Sequence, residues 1–108
     1  MILDVTDHDF DRVMERSTTP VLVEFWKPGC GSCRALMREL EKLEIDVTGK
    51  MLILKMNVEE NFQIPAELEV RSLPVLALYY QGKFERCSRC GHGRTGCARS
   101  RRAASRAG

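Results

Sequence analysis

The chain has 108 residues, 44% of them apolar and 30% charged, which bounds it to one domain with the balance of a soluble globular protein. No apolar run approaches the roughly 20 residues of a membrane helix, and no basic-then-apolar leader marks a signal peptide, so the cytoplasm is the expected compartment. The net charge of +2 conceals a split: residues 1–86 hold 11 Lys/Arg and all 15 Asp/Glu, whereas residues 87–108 hold 6 Arg and no acid, the mark of two differently behaving segments.

Ile2–Val5 reads as a short first strand. Thr6 or Asp7 can cap a helix over Asp7–Arg16, in which Phe10, Val13 and Met14 share a face and Asp7, Asp9 and Asp11 suit the positive end of the dipole. With His8 these acids invite a metal reading, but no calcium-loop glycine or closing glutamate follows, and a solvated helix start is the simpler reading. Ser17–Pro20 form a turn into Val21–Trp26, whose β-branched and aromatic residues suit a buried strand. Pro28-Gly29 breaks it, and after Cys30 and Cys33 the residues Leu36, Leu40, Leu43 and Val47 recur at helical spacing as far as Asp46 or Val47, with Gly49 as the terminator. Met51–Val58 is a second buried strand carrying Lys55. Pro65 divides the next stretch into a loop and a short helix from about Ala66. Val75–Tyr80 is a strand, Gln81-Gly82-Lys83 a hairpin turn and Phe84–Arg86 the returning strand, giving an α/β sandwich with a mixed sheet.

The pair Cys30-x-x-Cys33 opens a helix directly after a strand. Unpaired backbone N–H groups and the positive dipole end favour an anionic sulfur there, and thiolate is the form that attacks disulfides. A second cysteine one turn away can close a small ring and expel the product, which is thiol–disulfide exchange. A structural zinc pair or two inert buried thiols would fit the spacing, but the strand before and the helix after favour redox chemistry. A secreted disulfide framework is disfavoured because Cys87, Cys90 and Cys97 crowd into the last quarter. Glu24 is a charge inside a buried strand, so it must be neutral or paired, and Lys55 is the candidate partner.

Val21–Trp26, Cys30-Gly31-Ser32-Cys33, Met51–Val58 with Lys55, and Arg71-Ser-Leu-Pro-Val75 resemble, in order, the motifs of the thioredoxin family over about residues 2–86. Glu24 stands where the family usually has Asp, Ser32 where it has proline, and Gly29 where it has tryptophan. The resemblance implies a thioredoxin-like α/β fold and a protein-disulfide oxidoreductase needing no metal or organic cofactor. It implies catalytic roles for Cys30, Cys33, Glu24 and Lys55, and substrate binding by Trp26, Gly31, Ser32, Leu73 and a cis Pro74. Cys30 would be the exposed nucleophile, Cys33 the buried resolving thiol, and Glu24 the acid that moves the proton of Cys33. Disulfide-containing protein substrates and a thioredoxin-reductase-like electron donor are the implied partners, with no membrane and no nucleic acid. Ser32 lacks the fixed φ of proline and adds a hydroxyl, from which a less reducing potential is expected.

Residues 1–87 then form the domain and 88–108 a basic Cys/Arg/Gly-rich tail without Val, Ile, Leu, Met or aromatic residues, of the composition that a GC-rich gene yields out of frame. Such a tail cannot supply the family's closing helix, so part of one sheet face, at Val75 and Ala77 or at their alternates Leu76 and Leu78, is expected to be exposed. Two rival readings stand beside the redox one. One is a zinc- or nucleic-acid-binding module using Cys87, Cys90, His92, Cys97 and the arginines; the other is a non-catalytic thioredoxin-like adaptor.

Overall fold

A computed structural model describes residues 2–88. The strands are β1 (Leu3–Asp4), β2 (Val21–Trp26), β3 (Leu52–Asn57), β4 (Val75–Tyr80) and β5 (Lys83–Cys87), and the helices are α1 (Phe10–Arg16), α2 (Gly31–Val47) and α3 (Gln63–Glu67). They form one sheet in the order β1-β3-β2-β4-β5, with β3 parallel to both β1 and β2 and the last three strands antiparallel. This is the expected mixed sheet, with β2 at its centre. The expected lack of a closing helix falls on residues 89–108, which lie outside the described residues, as does nearly all of the tail.

Alternation along the strands divides the core. Val21, Val23 and Phe25 of β2, Leu54 and Met56 of β3, and Val75, Ala77 and Tyr79 of β4 pack with Phe10 and Met14 of α1, Ile64 of α3 and Leu68 beyond it. Tyr79 lies edge-on between Phe10 (5.2 Å between centroids) and Phe84 (5.7 Å). The other face is more lightly covered: Leu40 of α2 is buried with Ile2 and Ile53, while Leu22, Leu36, Met37, Val47 and Leu76 are only partly so. Val75 and Ala77 are therefore not the exposed residues; their alternates Leu76 and Leu78 are the half-buried ones. Leu43, expected to face inward with Leu36 and Leu40, is 38% exposed.

Several boundaries differ from the sequence reading. Helix α1 begins at Phe10, not Asp7, because Asp7 is used elsewhere. Its carboxylate accepts from the N–H groups of Phe62 (2.8 Å), Gln63 (2.8 Å) and Ile64 (2.9 Å), and so caps α3 from a distant part of the chain. The Asp7 N–H in turn donates to buried Asn61, whose amide donates to the Asn57 carbonyl. Asp9 holds the local turn by accepting from the Thr6 N–H and hydroxyl. Helix α3 starts before Pro65, not after it, and Pro65 sits in the first turn, where its missing N–H leaves no intrahelical bond unmade. Beyond α3 Glu69 has φ 58°. The bonds Val70 N–H to Pro65 O and Glu69 N–H to Ala66 O close the helix and aim the chain at Pro74. The β4–β5 turn is tighter than expected: Gln81 (φ 55°) and Gly82 (φ 79°) form a two-residue reversal whose paired positive φ values match the sheet twist.

Replacing Asp7 by alanine leaves three N–H groups of α3 without their acceptor. The variant is expected to lose about 2 kcal/mol in urea denaturation, and Asp7→Asn to lose less. A loss no larger than that of an exposed surface substitution would contradict the capping role.

Candidate active site

The site begins where β2 leaves the middle of the sheet. Cys30 N–H donates to Lys27 O (3.3 Å), closing a four-residue turn with Pro28 and Gly29 at its centre. Gly29 has φ +85°. Proline followed by a residue of positive φ is the pattern of a type II turn, which accounts physically for glycine at a position where a large side chain would be strained. The turn delivers Cys30 as the N-cap of α2. Its sulfur accepts the Cys33 N–H at 3.1 Å, and the Ser32 hydroxyl lies 3.6 Å from it. Cys30 and Cys33 are joined by a disulfide with their Cα atoms 5.3 Å apart. Cys33 is 2% exposed, whereas Cys30 is half-buried and opens to the surface. When the bond is reduced, the same N–H and the helix end favour a thiolate on Cys30.

Glu24 lies in register between Lys55 of β3 and Leu76 of β4, on the sheet face covered by α2. It is fully buried, and neither carboxylate oxygen has a hydrogen-bond partner. The expected Glu24–Lys55 pair is therefore not made: the two are neighbours in register without a hydrogen bond. The Lys55 ammonium instead lies 5.5 Å from the centroid of the Trp26 ring. Burial raises the Glu24 pKa from 4.5 to about 7, against a smaller downward pull from the Lys55 charge.

Two clefts flank Cys30. One, of about 160 Å³, is lined by Trp26, Lys27, Pro28, Gly29, Cys30, Cys33, Arg34, Met37 and Lys55. It gathers the predicted residues Trp26, Cys30, Cys33 and Lys55. The other, of about 430 Å³, brings Cys30, Gly31 and Ser32 together with Val58, Pro65, Val70, Arg71 and Leu73. The Leu73–Pro74 bond is cis, as expected, and Leu73 lines this groove while Pro74 does not. Sequence reasoning missed Lys27 and Arg34 at these openings, since an isolated charge in a loop or a first helical turn carries no motif, and gave Arg71 no role although it begins the stretch that ends at Val75. The metal reading of Asp7, Asp9 and Asp11 finds no support among the described residues, where no group of three or more His, Cys, Asp or Glu could hold an ion. The zinc reading falls on Cys90, His92 and Cys97, outside the described residues. Among the described residues no helix is long and apolar enough to cross a membrane.

A vicinal cysteine pair, one partner open and one buried, at the start of a helix beside a cis-proline loop defines a thiol–disulfide oxidoreductase. The thioredoxin family model matches residues 1–96, ten residues beyond the stretch on which the sequence motifs lie. Over 82 residues, 76% of this chain and 77% of the relative, the chain is 40% identical to a thioredoxin of Haemophilus influenzae. It is 39% identical over 83 residues to a thioredoxin of Rickettsia felis, covering 77% of this chain and 79% of that one. A thioredoxin of Pseudomonas aeruginosa is 34% identical over 84 residues, 78% of each chain. The chain belongs to the thioredoxin family.

The Glu24 environment sets a pH dependence whose sign is fixed. The folded carboxyl holds its proton up to about pH 7, whereas the unfolded one releases it near 4.5. Its contribution to stability is therefore full below about 4.5 and is lost as pH rises through about 7. Denaturation midpoints of the oxidised protein should fall across this window, and Glu24→Gln should flatten the fall. Parallel curves for the two proteins would contradict this assignment.

Proposed function

We propose that this enzyme reduces protein disulfides by two successive exchanges at its Cys-Gly-Ser-Cys pair. The carrying observation is the asymmetry of that pair: Cys30 caps α2 beside an open groove, and Cys33 is buried beneath it. The Cys30 thiolate attacks one sulfur of the substrate disulfide, breaking its S–S bond and forming a mixed disulfide while the first substrate thiolate leaves and takes a proton. Cys33 then loses its proton to Glu24, and its thiolate attacks the Cys30 sulfur. The Cys30–Cys33 bond forms, the second substrate thiol leaves, and two electrons have passed to the substrate. A carboxyl ionising near pH 7 is suited to that proton transfer, and the Lys55 charge favours its anionic form. Leu73 holds the substrate chain in extended form along the groove beside Gly31 and Ser32, the cis Pro74 sets the path of the loop that carries Leu73, and Trp26 backs the disulfide.

Return to the dithiol requires an external two-electron donor, for which a thioredoxin-reductase-like protein is the proposed partner, and the cytoplasm is the proposed compartment. The chemistry is complete with side chains alone. A disulfide-reduction assay with dithiothreitol as the electron source tests the assignment. Cys30→Ser should abolish turnover, while Cys33→Ser should stop at the mixed disulfide, which mass spectrometry of the intact protein detects as an added substrate mass. Turnover by Cys30→Ser, or trapping by it in place of Cys33→Ser, would overturn the assignment of the two sulfurs.

A further inference from the structure

We propose that the surface around Cys30 selects polypeptide disulfides flanked by Asp or Glu, a reading that rests on the disulfide-reductase function above and adds its substrate class. The two clefts that meet at Cys30 carry Lys27, Arg34 and Lys55 on one side and Lys27 and Arg71 on the other, and no Asp or Glu lines either. Lys27, Arg34 and Arg71 are exposed, and among the described residues none is within ion-pair distance of a carboxylate. This cationic ring stands on a domain that is otherwise acidic, since residues 1–86 hold 15 acids against 11 basic residues. The charge is therefore local to the site and not a property of the whole surface, the arrangement that steers an anionic partner to one spot.

A second observation adds to it. The larger groove has Val58, Pro65, Val70 and Leu73 for an extended chain and Arg71 for a carboxylate beside it, which fits a polypeptide better than a small disulfide.

The test uses the reduced full-length protein and three oxidised peptides of equal length, whose internal disulfide is flanked by Glu, Gln or Lys. At low salt the Glu peptide should react with a kcat/KM about ten-fold or more above the Lys peptide, and the gap should close at about 0.3 M salt as the charges are screened. Arg34→Glu combined with Arg71→Glu should reverse the order of the Glu and Lys peptides when each rate is divided by that of the Gln peptide with the same variant. Lys42→Glu, a control on the far exposed side of α2, should change none of the three. Equal rates for Glu and Lys peptides at low salt, with the Gln peptide reduced normally, would overturn the charge selection and leave the reductase function standing. Failure to reduce any peptide would sink both. A larger gain for glutathione disulfide than for the Glu peptide, lost in the double variant, would overturn the choice of a polypeptide.

Discussion

Between Trp26 and Gly31 the backbone leaves the centre of the sheet and enters a helix, and the chemistry of the molecule depends on how rigidly that turn is held. Strand β2 is paired along its length, with β3 on one side and β4 on the other. Val58 N–H donates to Trp26 O (2.9 Å), extending the pairing past the end of the strand. Its end therefore cannot drift. The Lys27–Cys30 bond and the positive φ of Gly29 then fix the direction of the first residue of the site. Any residue but glycine at that φ would be strained, by about 1 kcal/mol or more. The apolar rim that a larger side chain would supply at Gly29 is exchanged for a tight, well-defined approach to Cys30.

The uneven covering of the two sheet faces gives this turn its setting. Helices α1 and α3 seal one face with a continuous apolar cluster, so the strand order and register are held from that side. The α2 face carries fewer buried residues, and it is there that Glu24 sits. A carboxyl group without a hydrogen-bond partner in a sealed core is destabilising when ionised. The protein tolerates it by letting the group keep its proton to about pH 7. On the opposite face, the apolar cluster under α1 and α3 makes the long-range cap by Asp7 possible, because α1 is packed where the Asp7 carboxylate reaches the start of α3.

Much of this was legible in the chain itself where the signal was local and periodic. Val21–Trp26 and Val75–Tyr80 match their strands residue for residue, because uninterrupted apolar runs between turn residues leave little choice of register. The cysteine pair, Pro74 and the end of α2 at Gly49 were likewise readable from short motifs. What failed was long-range. Asp7 looked like a local cap, and nothing near it in sequence shows that its partners are Phe62, Gln63 and Ile64. Pro65 looked like a barrier to a helix, although the first turn of a helix accepts proline. Lys55 looked like the partner of Glu24 because opposite charges on neighbouring strands usually meet. Its long side chain instead places the ammonium over Trp26. Arg71 is far in sequence from Lys27 and Arg34, and only the fold brings it to the clefts beside Cys30 with them.

In the proposed reaction the two ionisable groups at this end are pushed in opposite directions. The Cys33 N–H and the start of α2 favour charge on the Cys30 sulfur, and the cations at the clefts act in the same sense. Burial disfavours charge on Glu24, and Lys55 offsets only part of that. For the proposed reaction this contrast suits the exposed sulfur to attack and the buried carboxyl to exchange a proton near neutrality. Cys33 is shielded from outside disulfides by burial and, in the proposed reaction, passes its proton to Glu24 only once the mixed disulfide has formed beside it. Lys55 thereby couples the clefts to the core, since a substrate carboxylate drawn toward its ammonium would weaken the charge that favours the ionised form of Glu24. An acidic substrate would thus be captured faster by the rim and would also raise the proton affinity of the acid beneath it. In the proposed reaction, binding and proton transfer would then be linked through Lys55, which lines a cleft and acts on Glu24.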